Sequence, residues 1–276
     1  MTPLEPGRYL IVVEVAGFGF HEVYRRVPDD PASLPSIFAV ERWEKPIDGV
    51  VPLPTITVWQ NGLAESKMVY VAGGEFEMGA GLDDSSPRHR RKVNDFYMDE
   101  TEVCVADYET IRPARHADDF DTSLLRLPKR SVDWAAAAHV AEAMGKRLPM
   151  EDEFEFAATN RGTTTFPWGE EPLAAGITEI QSVDVKTIDV CRDFPIRNMI
   201  SNVAELTNSV PGAYPGSAAQ KVELIADSKG MNRIVRGGWK QQSADEHRAK
   251  QRESIFCLAS DPNLGFRCAR SKRPSY

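Results

Sequence analysis

Beyond Asn160 the chain stops offering long regular elements. TTTFPWGEEPLAAG, CRDFPIRNMISNVAEL and SVPGAYPGSAAQ are punctuated by proline and glycine, which end helices and strands and turn the backbone. Loops of this length hold a shape only if packed aromatic side chains or a bound ion fix them. Two helix-like segments precede the loops, and the extended runs NRIVRGGW and LGFRCARS follow. Helices, long loops and closing strands together predict an α+β fold with much irregular backbone.

The first helix is the better marked. Asp133 can cap its N-terminus, Trp134 to Met144 is alanine-rich, and Gly145 is placed to end it in the left-handed conformation. The second, MEDEFEFAATN, opens on Glu151, Asp152 and Glu153. Acids there complement the helix dipole; a carboxylate pair for acid–base work is the competing reading. Upstream, MVYVAGGEFEMG reads as strand, Gly-Gly turn and strand, and DFYMDETEVCVADYETI turns helical around Val105–Ile111. Residues 1–62 differ in texture. RYLIVVEVAGFGFHEVYRRV is broken by Gly17 and Gly19, and SIFAVERW and VVPLPTITVW follow, with Pro52 and Pro54 suited to an edge strand. They predict a small all-β, sandwich-like module.

At 276 residues, 42% hydrophobic and 27% charged, the chain can bury a core without staples. A net charge of −8 argues against nucleic acid as a partner. The basic run Arg88-His89-Arg90-Arg91-Lys92 is short, precedes a strand-like segment and reads as a solvated edge. No segment reaches the roughly 18 apolar residues of a membrane span, and MTPLEPGRYL lacks a signal pattern. The expectation is a cytoplasmic chain or a fragment of something longer, an extracytoplasmic fragment included. Cys104, Cys191, Cys257 and Cys268 show no C-x-x-C spacing; Cys257 and Cys268 could pair, with free buried thiols the favoured state. His21, His89, His116, His139 and His247 are isolated from one another, and each reads as a surface or core residue rather than a ligand.

The order of motifs is itself informative. MVYVAGGEFEMG, ETEVCVADYE, SVDWAAAAHVAEAMGKRLPMEDEFEFAA, FPWG, SNVAEL, VRGGW and LGFR follow one another as they do in the formylglycine-generating enzyme family, or sulfatase-modifying factor domain. The resemblance covers about residues 68–271 and implies a C-type-lectin-like fold. LEPGRYLIVVEVAGF, ERW and VVPLP resemble the β module that precedes this domain in some bacterial serine/threonine kinases, where the pair lies C-terminal to the kinase. The sequence has no H-R-D-x-x-x-x-N, no D-F-G and no phosphate loop with its lysine strand. The resemblance therefore implies the non-kinase part of a longer protein, or a descendant of one.

Family members that oxidise a cysteine to formylglycine use two cysteines after R-G-G-S, binding copper(I). Here those positions are Gln242 and His247, and the serine is Trp239. A glutamine amide is neither a thiolate nor a soft copper ligand, so no copper is expected. The family's G-N-V-W-E-W loop commonly holds calcium. The resemblance places side-chain ligands at Asn198 and Glu205 and carbonyl ligands at Ser201 and Val203, hard oxygens of the kind calcium prefers. Ser201, Ala204 and Leu206 depart from the pattern, removing a glycine and two tryptophans whose packing would fix the loop. The alternative is that Asn198 and Glu205 cap turns without an ion. Met150 replaces the family's capping threonine, which predicts a loss of about 1 kcal/mol.

These observations favour a non-catalytic binding or sensor module whose ligand surface is Trp239, Lys240, Gln241, Gln242, His247 and Arg248, with a protein or peptide as partner. Trp239 packing inward as a core anchor is the competing reading. A metal-dependent oxidoreductase using His247 with Asp245 or Glu246 is the second reading. A retroelement-diversified display protein is the third, weakened because RAKQRESIFCLASDPNLGFR is not asparagine-rich.

Overall fold

The computed structural model describes residues 5–27, 47, 56, 58, 64–81, 87–113, 122–172, 180–187, 189–217, 231–238 and 249–273. An N-terminal hairpin, β1 (Gly7–Val15) and β2 (Gly19–Val27), turns through Gly17 and Gly19, both at positive φ. With Ile47, Ile56 and Val58 it is what the described residues include of the expected β module; SIFAVERW and nearly all of VVPLPTITVW lie outside them. The strands β3 (Met68–Val71), β4 (Gly74–Met78), β5 (His89–Val93) and β6 (Phe96–Asp99) come next. The helices α1 (Val105–Ile111), α2 (Trp134–Ala143) and α3 (Glu151–Ala158) follow, and then the short strands β7 (Ala204–Leu206), β8 (Asn232–Arg236), β9 (Arg252–Phe256), β10 (Leu264–Gly265) and β11 (Ala269–Ser271).

The strand–turn–strand reading of MVYVAGGEFEMG holds, and the two strands go to different sheets. β3 joins the sheet β11-β6-β3, whereas β4 pairs with β5. The Gly73-Gly74 step makes the change of sheet possible. A Cβ on Gly73 would sit 2.3 Å from the Val93 carbonyl oxygen, a contact only glycine avoids. The basic run precedes the strand β6 as expected and also forms a strand of its own, β5 (His89–Val93), with Arg91 paired to Asp152. The remaining four-stranded sheet runs β10-β7-β8-β9.

The caps behave as their residues require. Asp133 accepts a hydrogen bond from the Ala136 N–H at 2.7 Å, and Gly145 follows α2 with φ 73°. Met150 makes no side-chain cap on α3. The orphan donors are met from elsewhere: the Ser209 hydroxyl accepts from the Glu151 N–H, and the Asp152 carboxylate from that of Glu153. The predicted capping loss is therefore offset by Ser209, a residue remote in sequence.

Two apolar clusters form the core. One gathers β3–β6 and α3 around Phe96, Phe154 and Phe156, and draws in the loop residues Phe166, Phe194, Ile196, Met199 and Tyr214. Phe166 stacks on Trp168 with centroids 5.1 Å apart. The other packs α1 and α2 on the four-stranded sheet through Tyr108, Trp134, Leu206, Val235 and Phe266. Each fully buried aromatic or large aliphatic side chain contributes about 1.5–3 kcal/mol. The loops beyond Asn160 are thus held in part by aromatics.

Candidate functional site

The motifs that identify the fold also carry its buried charges. Arg236, from VRGGW, pairs with Glu155 of α3, both side chains fully buried. Arg267, from LGFR, grips Glu205 with two 2.7 Å bonds from Nε and Nη2. Arg147, from KRLP, bonds Glu153 in α3 and Glu22 in β2. Arg252 in β9 pairs with Glu151, one helical turn before Glu155. Arg236 and Arg252 face each other across β8 and β9, so two adjacent strands meet acids four residues apart on one helix face. Buried pairs of this kind bring little net stability over apolar packing, but removing one partner strands a charge in the interior.

The Glu205–Arg267 pair lies at the centre of the candidate site. Around it the loop 198–203 is tied down from several directions. Asp189 accepts from the backbone N–H groups of Ile200 and Ser201 at 2.9 and 2.8 Å. Asn198 and Asn202 both take positive φ and turn their amides onto Glu102, at 3.1 and 2.8 Å. Arg267 also donates to the carbonyl oxygens of Arg197 and Asn198. Three carboxylates, Glu102, Asp189 and Glu205, are therefore buried beside one guanidinium. Burial pushes all three upward; Arg267 opposes it, yet Glu205 is pushed up to about 7, with Glu102 and Asp189 adding to the rise. One oxygen of Asp189, Oδ1, is buried without a hydrogen-bond partner among the described residues.

The structure brings together all four residues expected to hold calcium. Asn198, Ser201, Val203 and Glu205 lie on one buried loop and strand. Glu102 and Asp189 join them and were not anticipated. Glu102 lies in ETEVC, a motif whose acids have no evident partner in the sequence, and Asp189 carries no signal at all. Among the described residues no three His, Cys, Asp or Glu side chains gather closely enough to bind a metal by themselves. A cation here would depend on Glu102 and Glu205 together with amide and carbonyl oxygens. Both oxygens of Glu205 are held by Arg267, so a cation would have to compete with that guanidinium for them.

The replaced tryptophans do not leave the loop loose. Ala204 and Leu206 are fully buried in β7, which pairs with β8 on one side and β10 on the other. Strand pairing fixes the segment where aromatic packing was expected to be missed. Gly237, in the same corner, has φ 81°, and a Cβ there would lie 2.8 Å from the Met199 carbonyl oxygen. The expected ligand surface, Trp239, Lys240, Gln241, Gln242, His247 and Arg248, lies outside the described residues. Its two anchors do not: β8 ends at Arg236, whose Nη1 donates to the carbonyls of Lys250 and Gln251 just before β9.

This architecture is that of a C-type-lectin-like domain of the formylglycine-generating enzyme type. Residues 57–272 match the sulfatase-modifying factor enzyme 1-like domain, and the chain belongs to that family. It is 27% identical over 236 residues to the serine/threonine-protein kinase pkn1 of Chlamydia pneumoniae, a match covering 75% of this chain and 38% of the kinase. It is 25% identical over 299 residues to the formylglycine-generating enzyme of Mus musculus, covering 80% of each. Treponema denticola variable protein 1 shares the fold, with a TM-score of 0.54 at 17% identity over 74% of this chain and 95% of that one. The chain thus spans well under half the length of the pkn1 kinase it matches.

Proposed function

We propose that this chain is a non-catalytic ligand- or protein-binding module on a formylglycine-generating-enzyme scaffold, serving as the regulatory part of a kinase-type protein. The observation that carries the reading is the replacement of the reactive cysteine pair by Gln242 and His247. The state of the remaining thiols supports it. All four cysteines are free and buried, and burial pushes the thiols of Cys104, Cys191 and Cys268 up, away from the thiolate that copper or redox chemistry needs. The likeness to pkn1 supports the kinase association.

The test is direct. Purified protein is supplied with copper(I), oxygen and a cysteine-containing peptide, and aldehyde is captured as an oxime. No oxime above background is expected; turnover at the rate of an enzyme would overturn the reading. Stoichiometric copper or iron in the purified protein would favour the oxidoreductase instead.

Calcium belongs to the same proposal. Asn198 and Glu205, the carbonyls of Ser201 and Val203, and Glu102 would hold it, and its role would be to fix the loop rather than to react. Calorimetric titration with calcium chloride is expected to show one site, absent in Asn198→Ala. No heat in the wild type would leave Asn198 and Glu205 as turn-forming residues only.

A further inference from the structure

A concave site shares Glu102 with the candidate site. A cavity of about 400 Å³ opens between the end of β6, α1, the end of α2 and residues 183–184. That volume is within the range of small-molecule sites. One wall is apolar, made by Ile111, Met144 and Val183. The rest is polar or charged, with five acids against four bases. Lys146 pairs with Asp99 at 2.6 Å, Arg197 with Glu100 at 2.9 Å and Arg126 with Asp184 at 2.5 Å. The remaining lining acid, Glu102, turns its oxygens onto the amides of Asn198 and Asn202.

The fourth pair differs from the other three. Lys67 Nζ stands 3.9 Å from Asp107, with the lysine side chain 77% exposed. Its backbone holds a left-handed φ of 65°, which a lysine rarely adopts, and the Lys67 carbonyl accepts from the Glu100 N–H. A strained residue thus fixes a loosely paired cation at the mouth of the cavity. Opening such a pair costs little, because exposed ion pairs contribute roughly 0–1 kcal/mol. Once opened, the Lys67–Asp107 pair offers a ligand one charge of each sign beside the apolar side chains of the lining.

We propose that this cavity binds a small zwitterion with an apolar side chain, of the α-amino acid class. Its carboxylate meets Lys67, its ammonium meets Asp107, and its side chain lies on Ile111, Met144 and Val183. The proposal goes beyond the binding reading above and does not depend on it.

The experiment titrates the full chain with L-leucine, L-isoleucine, L-methionine and L-phenylalanine, each followed by calorimetry and thermal unfolding. At least one is expected to bind at one site and raise Tm by several degrees at saturation. Its N-acetyl and methyl-ester forms, each lacking one charge, are expected to bind at least tenfold more weakly. Lys67→Gln and Asp107→Asn, both at exposed or half-buried positions, are expected to do the same while unfolding near the wild-type temperature. Arg90→Gln, exposed on β5 and outside the cavity lining, is expected to bind as wild type does. Failure of all four amino acids, equal binding of the blocked forms, unchanged binding in both pocket variants, or loss confined to Arg90→Gln would each overturn the proposal.

Discussion

Two glycines offer a controlled measurement of how tightly the VRGGW turn is packed. Gly237 and Gly216 have nearly the same backbone, φ 81° and 85°. Alanine at either position carries the left-handed penalty of about 1–2 kcal/mol. Their surroundings differ. At Gly216 a Cβ meets nothing within 4 Å among the described residues, whereas at Gly237 it meets the Met199 carbonyl oxygen at 2.8 Å and the Phe154 ring at 3.7 Å. The carbonyl belongs to the loop held by Asp189, and the ring is fully buried, so neither can yield cheaply. Overpacking of this kind adds about 1–3 kcal/mol. Gly216→Ala is therefore expected to cost about 1–2 kcal/mol and Gly237→Ala about 2–5 kcal/mol in urea unfolding. Equal losses in the two variants would refute the argument, because the backbone term is common to both.

Further consequences follow from the buried charges and caps. Glu22→Gln is expected to cost about 1–3 kcal/mol by removing one of the two carboxylates on Arg147, which keeps Glu153, and limited proteolysis should then cut near the β1–β2 hairpin; unchanged protection would contradict the pairing. His21 is buried, with Nδ1 unpartnered. Burial, aided by Arg270 and opposed by Glu142 and Glu22, lowers its pKa below 6.5. A depressed histidine contributes stability above its unfolded pKa and loses it as pH falls. The stability difference between wild type and His21→Gln should therefore shift against wild type as pH falls below 6.5, and a pH-independent difference would count against this reading. Asp133→Ala should cost about 1 kcal/mol by removing the cap on the Ala136 N–H, read by thermal unfolding.

What the sequence shows plainly is what neighbouring residues decide between themselves. Asp133 and Gly145 mark α2 because capping and left-handed termination are local chemistry. The parting of β3 from β4 was hidden, because a Gly-Gly step permits either a hairpin or a change of sheet, and Phe96 and Val93 make the choice from a distance. The strand β9 was also hidden: RESIF becomes a strand by pairing with β8. In the candidate site, Asn198 and Glu205 came from motif order. Glu102 and Asp189 reach it only through folding, across 96 residues from Glu102 to Asn198 and 11 from Asp189 to Ile200.

The clamp formed by Arg236 and Arg252 on Glu155 and Glu151 bears on how such a chain can change over time. Among the described residues, the contacts that hold the two ends come from Arg236, Arg252, Glu151, Glu155 and the carbonyls of Lys250 and Gln251. A chain held this way at positions 236 and 250–252 keeps its two strand ends together through residues that lie outside the stretch joining them, so selection on the ends and selection on the stretch act on different positions.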